Sequence, residues 1–181
     1  MSTLKTNEDA NLLGHLSVYI VPVGKTIEDG GFCIFKERLN KITNAARSHL
    51  LHLAVDNPAV YAPNPIVEFR VGSGGAAVVA TGNEVELYNE ITPTGNYDHT
   101  AIIQTYSTND MLATYTFELS PSEGNGLTIS EVGLFAANDW LDNPLKGKMF
   151  NIKTFSEVTK ASSFSLAFVW KINFSGVYQN G

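Results

Sequence analysis

Residues 164–174, FSLAFVWKINF, put Phe164, Leu166, Phe168, Trp170, Ile172 and Phe174 on every second position, with Ser165, Ala167, Val169, Lys171 and Asn173 between them. A period of two places the bulky set on one face of a strand, about 36 Å long at ~3.3 Å per residue. A helix would spread the same side chains around its circumference. The bulky face requires burial while the other is small or polar, the pattern of an antiparallel sheet packed mainly on one side. The remaining chain must supply the facing layer.

Other segments repeat this alternation. HLSVYIVPVG, 15–24, is rich in β-branched and aromatic residues but is broken by Pro22, which suits an edge strand or a bulge. FCIF, 32–35, is a short return strand after the turn residues Asp29, Gly30 and Gly31. IVEFRV, 66–71, sets Ile66, Glu68 and Arg70 against Val67, Phe69 and Val71, and GSGG follows at 72–75. Glycine there permits a tight reversal. The spacing of a phosphate-binding loop and its Lys-Ser or Lys-Thr pair are missing. Residues 101–107 and 112–119 flank the turn TND, and 127–137 and 148–155 complete the strands. Six to eight sequential strands predict a mainly β domain, an antiparallel β-sandwich or strongly curved sheet with one principal helix.

That helix is predicted from Thr43 to about Ala54, where Ala45, Ala46, Leu50, Leu53 and Ala54 make a helical stripe. Asn40 or Thr43 caps its start, and Asp56-Asn57-Pro58 ends it. Thr81 and Glu84 form a capping-box pattern for a second, short helix through Glu90. The expected organisation is an N-terminal arm (1–14), a hairpin or edge-strand extension (15–39), a β-rich core domain (40–176) and a short tail (177–181).

With 44% hydrophobic residues the chain of 181 residues can bury a core, and a net charge of −6 argues against nucleic acid as a partner. Lys146, Lys148, Lys153 and Lys160 are expected as solvated positions flanking strands. Cys33 is the single cysteine, so no disulfide forms within the chain. The start MSTLKTNEDAN is polar, without a signal-peptide core, and no apolar run approaches transmembrane length. A soluble product of the cytoplasm, with no membrane partner, is the expectation.

Chemistry is thinly supplied. His49 and His52 lie three apart and could share a metal, but no carboxylate or cysteine stands at matching spacing; Arg47 and His49 read as surface or interface residues. His15 and His99 stand far apart, and Cys33 has no local histidine partner. Glu84, Glu86 and Glu90 spread over several faces, unlike a paired-carboxylate site. Glu131 shares a phase with Leu127, Ile129 and Gly133, which reads as a buried carboxylate accepting backbone or arginine hydrogen bonds, structural rather than catalytic. No catalytic, cofactor-binding or metal residue is assigned, no cofactor is expected, and the chain is not expected to be an enzyme.

Several phrases, in order, resemble a family of small bacteriophage structural proteins associated with tails, baseplates, fibres or necks. They are NKITNAARSHLLHLAV (40–55), IVEFRVGSGG (66–75), NEVELYNEI (83–91), GNGLTISEVGLF (124–135) and MFNIKTFSEVTKASSFSLAFVWKINF (149–174). Members similarly run from a helix after an Asn-x-Ile or Asn-x-Val phrase, through a strand and Gly-rich turn, to an acidic-x-Gly-Leu-Phe strand and a closing apolar strand with a Trp or similar aromatic residue. The resemblance covers about residues 40–174 and carries no catalytic residue. It implies a virion component, made in the bacterial cytoplasm, that binds copies of itself and other virion structural proteins. The proline-broken strand and the arm are the expected contact elements, so residues 1 to about 35 should make most outside contacts. The rival expectation is a receptor- or carbohydrate-binding module, with Tyr61, Tyr88, Tyr97, Tyr106, Trp140 and Tyr178 near loops and strand ends stacking on a glycan.

Overall fold

The computed structural model describes residues 13–44, 46, 47, 66–136 and 149–174. The fold is mainly β, with two antiparallel sheets of five and three strands that do not close into a barrel, a β-sandwich. Its elements are β1 (Leu13–Pro22), α1 (Ile27–Gly30), β2 (Phe32–Ile42), β3 (Ile66–Gly72), β4 (Ile102–Ser107), β5 (Leu112–Leu119), β6 (Thr128–Ala136), β7 (Met149–Thr159) and β8 (Phe164–Asn173). Hydrogen bonding runs β3-β6-β7-β2-β1-β8-β5-β4. β2 links the layers: most of it pairs with β1, while Lys41 and Ile42 pair with Ile152 and Asn151 of β7.

The alternating strand β8 is the middle of the larger sheet, between β1 and β5. Leu166, Phe168, Trp170 and Ile172 are fully buried. They meet β3 across the sandwich, where the Phe69 ring stacks on Phe117 at 4.4 Å and lies 5.0 Å from Phe168 and 6.4 Å from Trp170. Each such side chain contributes about 1.5–3 kcal/mol by leaving water. This aromatic knot therefore fixes how the two layers sit.

β1 and β2 form the hairpin that is one of the two expectations for 15–39, and β1 is an interior strand flanked by β2 and β8, not an edge. Pro22 is tolerated because it is the last residue of β1, opposite Phe164, where a missing N–H interrupts nothing further along the ladder. The return strand extends to Ile42 rather than ending at 35. Between them, Thr26 caps the single turn of α1 by accepting the Asp29 N–H at 3.2 Å. Strand pairing begins before His15, since Leu13 and Gly14 already pair with Asn173 and Ile172. Residues 1–12 and the expected tail, 177–181, lie outside the described residues.

Thr43 does cap a helical turn: its Oγ1 accepts the Ala46 N–H at 3.1 Å and its carbonyl accepts the Arg47 N–H. The rest of the expected helix, with His49 and His52, lies outside the described residues. Lys160 is another correction. It is 1% exposed rather than solvated, with Nζ donating to the Ala161 carbonyl at 2.8 Å and to Asn125 Oδ1 at 3.3 Å, 5.3 Å from the centre of the Phe164 ring. Lys153 is half-buried within β7, and Lys146 and Lys148 lie outside the described residues.

Candidate functional site

The smaller sheet is covered on both faces. Its inner face joins the aromatic core, and its outer face carries a second apolar cluster of Phe135, Met149 and Ile152 under Ala80 and Leu87. Those two belong to the long connection from Gly72 to Ile91 that lies across the sheet. A bulge between Ile129 and Glu131 makes this arrangement possible. It lets Ile129 and Val132 both join the inner core, while Glu131 turns to the outer side beneath the connection.

There Glu131 is a clamp. Oε1 accepts the backbone N–H of Gly74 at 2.9 Å and of Asn89 at 2.7 Å, and Oε2 accepts that of Tyr88 at 2.9 Å. The side chain is 0% exposed. The Gly-rich turn is what lets the backbone come so close. A Cβ on Gly72 would stand 2.4 Å from Glu131 Oε1, and one on Gly75 would stand 2.4 Å from the Ser130 carbonyl oxygen. The glycines cradle a carboxylate of the chain itself, the physical equivalent of an anion site already occupied.

Two further carboxylates act alike. Glu84 accepts the N–H groups of Thr81 and Gly82, each at 2.7 Å, and the Tyr88 hydroxyl at 2.7 Å. Burial alone would raise its pKa, but these hydrogen bonds outweigh it and hold the carboxyl down to about 2. Burial and the Glu84 carboxylate push Tyr88 up to about 12. The expected capping box is thus present, but 81–90 is not helical, because Glu131 takes the N–H groups of Tyr88 and Asn89. Glu123 accepts the N–H of Ser120 at 2.9 Å and of Asp98 at 3.0 Å, and its pKa is lowered because those bonds overcome desolvation.

An ion triad that the sequence did not suggest lies at the rim. Arg70 donates to Glu68 through Nε at 2.9 Å and Nη2 at 2.5 Å, and reaches Glu90 at 3.4 Å, with its guanidinium 4.4 Å above the Phe135 ring. Burial lowers the Arg70 pKa, and the bonds and charges of Glu68 and Glu90 reverse this to a net rise. The signal was the i, i+2 spacing of Glu68 and Arg70, which shares one strand face.

His15 and His99 are not brought together: β1, which carries His15, is three ladders from β4, which His99 precedes. The His99 carbonyl accepts the Phe69 N–H at 2.9 Å. Cys33 is exposed, its thiol donating to the Phe35 carbonyl at 3.3 Å. Among the described residues no cluster of three or more His, Cys, Asp or Glu has the arrangement of a metal site, and no helix is long and apolar enough to cross a membrane. Of the tyrosines, Tyr97 is buried: its hydroxyl accepts the Val71 N–H at 3.2 Å and donates to the Ile91 carbonyl at 3.1 Å. Tyr88 and Tyr106 are exposed; Tyr61, Trp140 and Tyr178 lie outside the described residues.

The two ends of the sheet order differ sharply. β3 has a bulge between Ile66 and Glu68 and carries charge. Its backbone groups are met by Gln104 on the Ile66 carbonyl, His99 on Phe69, Tyr97 on the Val71 N–H and Ile91 on the Val71 carbonyl. β4, IIQTYS, has no charge, proline or bulge, and it exposes Ile103 at 67% and Tyr106 at 83%. Edge strands are ordinarily blunted by such devices. Among the described residues β4 is thus the sheet end that lacks these devices, while the carboxylates of Glu84 and Glu131 hold the acidic connection in place, leaving Val79 and Val85 exposed. Compared with protein-family models, curated proteins and solved structures, the chain matches none.

Proposed function

We propose that the chain is a structural component of a bacteriophage particle, at a tail, baseplate, fibre-attachment or neck position, and that it works by protein–protein assembly. The observation that carries this reading is the unblunted edge of β4, with Ile103 and Tyr106 exposed on an uncharged strand. Such an edge is open to completion by a neighbouring strand. The ordered phrases over residues 40–174 support the same reading. So does the commitment of Glu131: a carboxylate with three backbone donors and no exposure is an anchor, since a general acid or base must reach its substrate.

The rival, a glycan-binding module, loses Tyr97 as a stacking ring because it is buried. Locating the chain in the density of intact particles tests the proposal. The expected result is repeated copies with β4 in contact with another virion chain. Absence of the chain from purified particles, or β4 facing solvent in every copy, overturns it.

A further inference from the structure

We infer that the free edge of β4 is the contact between two copies of this chain, paired antiparallel about a two-fold axis at Thr105; this rests on the assembly reading above. The strand itself selects the occupant. The chain carries a net charge of −6, yet Ile102–Ser107 carries none, so two copies meet along it with no like charges opposed within the pairing. A charged foreign segment would find nothing on β4 to recognise it.

Parity then restricts the register. Residues directly opposite in an antiparallel ladder share a face, and a two-fold axis normal to the sheet keeps each face on its own side, so only residues of equal parity pair. An axis at Thr105 sets Ile103 opposite Ser107 of the second copy on the outer face, and Gln104 opposite its Tyr106 on the core face. The choice of Thr105 over Gln104 follows from β3. Gln104, Thr105 and Tyr106 are all exposed, but the Gln104 amide is already held on the Ile66 carbonyl of β3. The contact shields the two most exposed apolar side chains of the strand, in both copies at once.

A five-residue pairing is narrow. A stable isolated interface buries at least about 1,000 Å². The pairing is consequently weak between free chains and strengthened where other contacts hold copies together in a particle.

The test uses the full chain with Cys33→Ser, which removes the exposed native thiol. Opposed residues of an antiparallel ladder have Cα atoms about 4.5–5.5 Å apart, within disulfide reach. Thr105→Cys should therefore form a covalent dimer on mild oxidation. Thr116→Cys, one strand inward opposite Ile103, should not, because the two β5 strands would lie about 14 Å apart. In sedimentation across a concentration series, Thr105→Lys and Thr105→Glu should each weaken self-association at least tenfold, and an equal mixture of the two should restore it. Equal cross-linking at 105 and 116, a wild-type chain that never associates, or association indifferent to both charges overturns the inference. Particles in which β4 contacts a different virion protein would refute the self-pairing and leave the assembly reading standing. A Thr105-specific dimer of a chain missing from the particle would do the reverse.

Discussion

Replacing Glu131 by Ala removes the acceptor of three backbone N–H groups at once, those of Gly74, Tyr88 and Asn89. Hydrogen bonds to a charged group contribute about 1.5–3 kcal/mol each, and a stranded buried donor costs about 1–3 kcal/mol. The full sum is not expected, because Tyr88 and Asn89 are exposed residues and water can reach part of the opened connection. A net loss of about 3 kcal/mol is the working figure. For a domain of this size each kcal/mol moves the melting temperature by about 2–4 °C, so thermal unfolding should fall by roughly 10 °C. Glu131→Gln separates geometry from charge. Its amide oxygen can keep Gly74 and Asn89, but its NH₂ then faces the Tyr88 N–H, so it should fall between wild type and Ala. Hydrogen exchange at Gly74, Tyr88 and Asn89 should accelerate in the same order. A melting temperature unchanged in Glu131→Ala, or Gln less stable than Ala, would refute the clamp.

The remaining predictions use other parts of the same frame. Gly75→Ala should destabilise by about 1–3 kcal/mol in chemical denaturation, since the 2.4 Å clash is with the Ser130 backbone and no rotamer relieves it. Glu84 has a folded pKa of about 2 against 4.5, so its contribution is whole above pH 4.5 and lost as pH falls toward 2; Glu84→Gln should flatten that limb of a pH–stability curve. Burial pushes Tyr97 up to about 12, as burial and Glu84 do Tyr88, so their contribution is whole below pH 10 and lost as pH rises through 12, followed by tyrosinate absorbance. Burial lowers the Lys160 pKa against the pull of Glu123 and Glu118, so the charged form is disfavoured relative to a solvated lysine. Lys160→Met should therefore stay within about 1 kcal/mol of wild type in urea unfolding, whereas Lys160→Ala, which leaves a cavity, should lose about 2 kcal/mol or more.

What could be read from the sequence was whatever depends on neighbours along the chain. The strict alternation from Phe164 needs only local geometry, and so does the Thr81–Glu84 box. Glu131 was legible as a buried carboxylate because the residues two positions to either side, Ile129 and Gly133, carry no charge and belong to an apolar strand. What it holds was not legible, since its partners lie 42 to 57 residues away. The same separation hid the loss of the helix after Glu84, where acceptors from another strand outcompete the helical ladder. Strand order is likewise non-local. Pro22 reads as the sign of an edge or a bulge; β1 does have irregular register against β2 at Gly14/His15 and Val18/Tyr19, but it is no edge: a strand's last residue tolerates proline as well as an edge does. Lys160 was misplaced because burial of a lysine depends on what receives its ammonium group, here the Asn125 side chain, the Ala161 carbonyl and the Phe164 ring.

Moving the open edge from β1 to β4 changes how the N-terminal arm must be tested. A truncation through residue 14 would remove Leu13 and Gly14, which pair with Asn173 and Ile172 of β8, with Gly14 also opposite Asn40 of β2. β1 is an interior strand of the larger sheet, so such a chain loses ladder on both sides and its assembly defect would report folding. Deleting residues 1–12 leaves every described pairing of β1 in place. If the arm is a clasp, this shorter deletion should leave the melting temperature within a few degrees of wild type while lowering the number of copies per particle. Combined with Thr105→Lys, it should lower incorporation further than either change alone, as independent contacts do. Unchanged copy number in the 1–12 deletion would remove the arm from the assembly and leave β4 as the contact to be explained.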